Sequence, residues 1–359
     1  MNKSLDKIVI RGRYLYFPSF FPDGTRAVVR SLDSKDLIMA GVQGIIVNTY
    51  HLYKTPGDGF ISKLGGVGRF MSWDGFTVSD SGGFQIMSML YRKGEGRITK
   101  QGVYFDGSLF TPEDSIRIQF NLNTDIVIVL DYFTNPSASV GEMEKSVEIT
   151  SEWARRSKDE YERQIVRRKL SEKKRPLLLA VIQGGRDKRL REKSARELLR
   201  IGFDGYGFGG WIIDESGKLD LDVAKFNAEL TPDDKIRFAL GVGKPEDIVK
   251  CVEYGYHLFD CVLPTRDARH KRLYVFKRQK NQNFLLKDDF YKFIYPVRSK
   301  YSYSTLPIDS DCDCFTCKNY SLSYLSHLFR VRDSLAFRLA SIHNLRFYTQ
   351  MIEMLRKEK

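Results

Sequence analysis

No run of about 18 or more apolar residues occurs in the chain, so no membrane-spanning helix is expected. Cysteine is scarce and odd in number, five in 359 residues, which argues against a framework of disulfides. No GxGxxG opens a helix after the first strand and no GxxxxGK[ST] occurs, so a nucleotide-binding doubly wound sheet loses its main support. The opening MNKSLDKIVIRGRYLYF lacks the basic-then-apolar layout and small-residue cleavage site of a signal peptide, making the cytoplasm the expected address. Internal repeats and low-complexity tracts are missing too. Acidic residues are in deficit: 58 Lys and Arg against 45 Asp and Glu leave a net charge of +13, which favours a polyanionic partner.

The excess charge is concentrated. Between Pro264 and Lys300 stand 11 basic residues and three acidic ones, so this segment alone carries 8 of the 13 surplus charges. With 42% hydrophobic and 29% charged residues, the rest of the chain has the balance of a folded protein with a sizeable core.

Short apolar runs recur and end in polar or small residues: GIIVNTYH (44–51), FTVSDSGG (76–83), DIVIVLDYF (125–133), LLLAVIQGG (177–185), GYGFGG (205–210), RFALGVG (237–243) and YHLFDCV (256–262). Amphipathic stretches of helical period separate most of them, such as 141–170 and 245–254. Doubly buried strands alternating with helices imply a parallel sheet. One more strand near Arg26 to Val29 brings the number to eight, a (β/α)8 TIM barrel, whose site forms at the carboxyl ends of its strands. Asn48, Asp80, Gln85, Asp131, Gln183 and Asp260 close these runs and are candidates as a set. The division expected is a catalytic barrel over 1–273, a basic segment and inserted zinc-binding subdomain over 274–345, and a carboxyl-terminal helix over 346–359 that packs back on the barrel.

Cys312-x-Cys314-x2-Cys317, followed by His343 in a helix-like stretch, offers three thiolates and an imidazole. Such a set makes a closed tetrahedral zinc site, structural because no coordination position remains for water. His327 is the competing imidazole. Asp80-Ser81-Gly82-Gly83-Phe84-Gln85 joins a carboxylate able to move a proton, glycines that let backbone amides approach a ligand, and an aromatic stacking face. Glycine pairs recur after Gln183 and at Gly209-Gly210, suggesting a slot for a flat ligand. Asp260, placed before the basic cluster, could attack a sugar carbon and form a covalent glycosyl intermediate.

Six motifs, in order, carry a resemblance: NTYHLYKTPG (48–57), SDSGGFQIMSM (79–89), AVIQGG (180–185), GVGKPEDI (241–248), FDCVLPTRDAR (259–269) and CDCFTCKNYS (312–321). On these motifs the chain resembles the tRNA-guanine transglycosylases, base-exchange enzymes of queuosine and archaeosine biosynthesis. The resemblance implies Asp260 as the nucleophile at ribose C1′ and Asp80 as the general acid/base. It also implies a base slot formed by Ser81, Phe84, Asp131, Gln183, Gly184, Gly209, Gly210 and Leu240. Thr265, Arg266, Arg269, Lys271 and Arg272 would meet tRNA, and Cys312, Cys314, Cys317 and His343 would hold one structural zinc ion per chain. The expected partners are tRNA, guanine or a 7-deazaguanine base, and a second copy in a homodimer, with no membrane.

The chain departs from the family pattern at three places. DECTPYP of the bacterial type is here Asp131-Tyr132-Phe133-Thr134-Asn135-Pro136, and GGLAVGE is Gly209-Gly210-Trp211-Ile212-Ile213-Asp214-Glu215. Arg269-His270-Lys271 stands for RNG. A small residue at the Ile213 position accompanies queuine use in the family, so Ile213 favours a smaller 7-substituent such as aminomethyl. The alternatives are a non-catalytic tRNA-binding partner subunit of the same fold, or base exchange in DNA or at another tRNA position.

Overall fold

The computed structural model describes residues 5–93, 96–135, 137–210, 217–277 and 289–357. Eight parallel strands build its centre: β1 (Ser19–Pro22), β2 (Gly44–Val47), β3 (Phe76–Ser79), β4 (Ile126–Ile128), β5 (Leu177–Ile182), β6 (Gly205–Phe208), β7 (Ile236–Ala239) and β8 (Leu258–Cys261). Sequence neighbours are spatial neighbours from β2 through to β8, and β8 returns to β1 with Leu258 opposite Ser19 and Asp260 opposite Phe21. Closure comes from a parallel bridge between Asp23 and Ile46, reinforced by the Gly24 amide donating to the Ile46 carbonyl at 2.7 Å. The fold is therefore the expected (β/α)8 barrel.

Six of the eight strands fall within the apolar runs, and a seventh, β7, starts one residue ahead of its run. The eighth does not lie near Arg26 to Val29. Its place is taken by Ser19–Pro22, buried at all four positions, whereas Ala27 adopts φ of 56° and Thr25 bridges Val28 across a tight turn. Aromatic burial favours the earlier segment, since Phe20 and Phe21 are both buried whereas of Val28 and Val29 only the second is.

Side chains of alternate strand positions fill the barrel interior: Phe21, Ile46, Val78, Ile126, Ile128, Leu179, Val181, Phe238 and Leu258. An antiparallel hairpin, Lys7–Ile10 with Arg13–Tyr16, plugs the amino-terminal end of the barrel with Ile10 and Leu15. Arg13 of that hairpin is bound to the Asp125 carboxylate just before β4.

Around the strands lie α1 (Ser34–Met39), α2 (Gly83–Lys93), α3 (Pro112–Leu122), α4 (Val140–Arg167), α5 (Lys188–Ile201), α6 (Leu221–Glu229), α7 (Pro245–Glu253) and the short α8 (Leu263–Arg269). Their starts are written locally. Thr111 and Asp114 form a reciprocal cap for α3, and Asp187 accepts from two amides at the start of α5.

The basic segment that follows the barrel contains an antiparallel pair, β9 (Leu273–Phe276) and β10 (Tyr291–Ile294). It leads to α9 (Phe315–Asn319), α10 (Leu322–Arg330) and the long α11 (Leu335–Lys357). Arg338 of α11 holds the buried Asp36 carboxylate of α1, and Tyr348 donates to the Gly243 carbonyl at 2.7 Å. The last helix is thus fastened to the barrel itself.

Candidate active site

Each strand delivers one residue to the carboxyl-terminal mouth: Asp23 after β1, Asn48 after β2, Asp80 after β3, Asp131 beyond β4, Gln183 after β5, Gly209 after β6, Leu240 after β7, and Asp260 within β8. Asp80, Asp131 and Asp260 keep part of their surface open while protein packs their other sides.

Asp80 is the most heavily bonded. Its carboxylate accepts from Asn48 Nδ2 at 2.7 Å, the Thr49 amide at 3.1 Å and the Gly82 amide at 2.9 Å. Burial nevertheless outweighs these donors and pushes its pKa up to about 6, with the charge of Asp23 adding to the rise. Asp260 accepts from the Gly241 amide at 2.9 Å. Burial, together with the negative charges of Asp23 and Asp80, lifts it to about 7. Two coupled carboxylates at one mouth, both poised near neutrality, can supply a nucleophile and a proton carrier.

Asp131 and Gln183 form a second pair. Gln183 Nε2 donates to Asp131 Oδ2 at 2.6 Å, and burial raises Asp131 to about 6. Gln183 is fully buried, and its Oε1 has no partner among the described residues, leaving an acceptor for a ligand's N–H. The adjoining wall requires glycine at position 209, where a Cβ would lie 2.1 Å from Val181 Cγ1 and 2.9 Å from Gln183 Nε2. Phe84 is 47% exposed over this slot and meets Phe133 edge-on, with ring centroids 4.9 Å apart. Leu240, just beyond β7, packs on the interior cluster. The geometry suits a flat, hydrogen-bonding ring.

Basic side chains rim the mouth beyond Asp260. Arg266 and Lys271 are exposed and Arg269 half-buried. Thr265 is buried, its hydroxyl donating to the Val262 carbonyl, while the partly exposed Arg272 pairs with buried Asp267 and lies over the Phe293 ring. Arg30 is close enough to act on Arg269, which brings the loop after β1 to the same rim.

Cys312, Cys314, Cys317 and His343 are all buried, with ligand atoms within 4.8 Å of one another. His343 Nε2 lies 2.7 Å from the Tyr274 carbonyl, which takes that nitrogen as a donor and turns Nδ1 toward Cys317 Sγ at 3.3 Å and Cys314 Sγ at 3.8 Å. His327 stays exposed and outside the cluster, so geometry resolves the choice of imidazole. Soft donors in this arrangement fit a zinc ion.

A profile described as queuine tRNA-ribosyltransferase matches residues 5–358. The chain belongs to the queuine tRNA-ribosyltransferase family. A protein of that name from Solidesulfovibrio magneticus is 39% identical over 346 residues, covering 95% of this chain and 86% of the relative. Another from Blochmanniella pennsylvanica is 38% identical over 346 residues, with 95% and 87% covered. A third, from Thermoanaerobacter pseudethanolicus, is 38% identical over 346 residues, with 95% and 85% covered.

In this member of the queuine tRNA-ribosyltransferase family, Asn48, Asp80, Asp131, Gln183, Gly209 and Asp260 come together at one mouth. Gln85, on α2, has a buried Oε1 without a partner among the described residues. Trp211, Ile212, Ile213, Asp214 and Glu215, with Pro136, Arg278, Lys280 and Lys287, lie outside the described residues. Sequence reasoning missed Asp23. The signal is present, since Asp23 closes SFFP as Asp80 closes FTVS, but a strand expected near Arg26 lies seven residues too late to reveal it.

Proposed function

We propose that this chain is a tRNA-guanine transglycosylase exchanging guanine at the anticodon wobble position for a 7-deazaguanine. The observation that carries this reading is the coupled carboxylate pair, Asp260 and Asp80, at the mouth beside the slot walled by Gln183, Gly209 and Phe84 and below a basic rim. An Asp260 oxygen would bond to ribose C1′ as the C1′–N9 bond breaks, its electron pair leaving with guanine, which takes a proton by way of Asp80. The incoming base would lose its N9 proton to Asp80 and displace Asp260 from C1′. Two inversions retain configuration, and no ATP is consumed.

Asp131 and Gln183 would read the purine edge, with Ser81, Gly184, Gly209 and Gly210 supplying the remaining wall and Phe84 and Leu240 its faces. Arg266, Arg269, Lys271 and Arg272 would meet backbone phosphates, while buried Thr265 would shape their loop from inside. The target guanosine leaves its stack, which costs least in an unpaired loop. The smaller aminomethyl base is favoured by Ile213 and by the Phe84–Phe133 contact, which narrows the slot from one side.

Cys312, Cys314, Cys317 and His343 would hold one zinc ion, whose contribution is structural, closing the loop before α9 onto α11. Within the proposed division at 1–273, 274–345 and 346–359, α11 bridges the last two parts. A homodimer is the expected assembly, and exposed Tyr324, stacked on Tyr320 with ring centroids 5.3 Å apart, would offer it an aromatic surface.

Radiolabelled guanine offered with unfractionated tRNA tests the reading. Label is expected to enter tRNA with the intact protein, and Asp260→Asn is expected to lose both incorporation and the covalent RNA adduct while still binding tRNA. No incorporation by the intact protein, with tRNA still bound, would instead support the non-catalytic partner subunit or exchange on another nucleic acid.

A further inference from the structure

Behind the wall formed by Gln183, Gly184, Gly185 and Gly209 stands Arg191 of α5, a fully buried cation. Its guanidinium donates to the Gly185 carbonyl at 2.7 Å, the Ile182 carbonyl at 3.2 Å, the Gly209 carbonyl at 2.9 Å and Asn227 Oδ1 of α6 at 2.9 Å. It also lies over the Phe208 ring, 4.9 Å from the centroid. Burying an unpaired guanidinium is costly, and a simple anchor between helices would be met more cheaply by an apolar side chain. These acceptors are neutral, and three are backbone carbonyls at the ends of β5 and β6.

The loop after β5 is held from the same helix at a second point, since the Ser194 hydroxyl accepts from the Gln183 amide at 3.2 Å. Helix and loop touch so closely at Gly184, where φ is +129°, that a Cβ would lie 2.7 Å from the Arg191 amide. The wall that presents Gln183 and Gly209 to the slot is therefore not free-standing.

We propose that Arg191 is the positioning residue of base recognition: by joining the exits of β5 and β6 to α6 it sets the spacing between Gln183 and the Gly209 backbone, and with it the affinity for the free base. Resting on the base-exchange reading, this assigns Arg191 no contact with substrate. Burial lowers its pKa to about 10, which leaves it a cation throughout the neutral range. A lysine would keep the charge, but its compact ammonium cannot span acceptors on two strands and a helix.

The test measures equilibrium binding of guanine by calorimetry, with tRNA binding and initial exchange rates measured on the same preparations. Arg191→Lys is expected to weaken guanine binding and raise the KM for the base by about tenfold, the loss of one or two charge-assisted bonds, while tRNA affinity and kcat at saturating base stay within about threefold. A folded Arg191→Lys that binds guanine as the parent does, or that loses kcat with an unchanged base KM, overturns the proposal. If Arg191→Lys does not fold, Asn227→Ala, which removes a single acceptor, is read in the same way. A rise of about threefold in guanine Kd supports the assignment, and an unchanged Kd overturns it. Failure of the parent protein both to bind guanine and to exchange it would sink the base-exchange reading, and the role of Arg191 with it.

Discussion

At the scale of single residues, a third carboxylate, Asp23, adds to the rise that burial causes in the pair. Asp23 accepts from the Thr25 amide at 3.3 Å and from its hydroxyl, and its charge bears on both Asp80 and Asp260. In the proposed mechanism Asp260 attacks as the carboxylate while Asp80 holds the proton that guanine takes, so kcat/KM should pass through a maximum between about 6 and about 7 and fall on either side. Removing a neighbouring negative charge makes that ionisation easier. Asp23→Asn, which can still accept from Thr25, is therefore expected to move the acid limb to lower pH by about half a unit to one unit. An unmoved limb in a pH profile of kcat/KM would separate Asp23 from the electrostatics of the pair.

At the scale of elements, α11 couples the cysteine–histidine cluster to the loop that follows Asp260. His343 faces the thiols, while the adjacent Asn344 donates to the Pro264 and Arg272 carbonyls and accepts from the Tyr274 amide. Arg346 reaches back to Asp313 between two of the cysteines, at 2.6 and 2.8 Å. One helix thus holds the cysteine loop, β9 and the turn four residues beyond Asp260. Withdrawing zinc with a chelator should speed hydrogen exchange first over residues 309–330, while β2 to β7 stay protected, and should lower exchange activity through the Pro264 turn. Uniform loss of protection across the barrel strands would show instead that the metal holds up the whole fold.

For the whole molecule, charge and shape act together. A net charge of +13 raises the encounter rate with a polyanion in any orientation, whereas exposed Arg266 and Lys271 stand at the mouth and would orient it. If these two contact phosphates, tRNA binding should weaken steeply with salt. The double substitution to alanine should reduce the slope of log K against log salt by about 1.5 to 2. Comparable alanine changes at Lys173 and Lys174, near the amino-terminal end of the barrel, should leave the slope unaltered. Filter binding across a salt series distinguishes these outcomes.

Much of this was legible in residue order. A barrel strand buried on both faces must be an unbroken apolar run, and the polar residue ending it must emerge at the mouth; that rule marked Asp80, Asp131, Gln183 and Asp260 together. It failed at β1 because Ser19–Pro22 begins and ends in residues uncommon in central strands, so Asp23 stayed unseen. The cysteine spacing determined the donor set, but two histidines competed on sequence grounds, and only packing against the Tyr274 carbonyl turned His343 inward. Arg191 was invisible as a site residue, because its position in an amphipathic helix carries no mark of the carbonyls it meets. Local composition determines which side chains a strand end can offer. Their charge coupling, and the buried cation that spaces the wall, arise from contacts between strands and helices distant in sequence, which only the closed barrel creates.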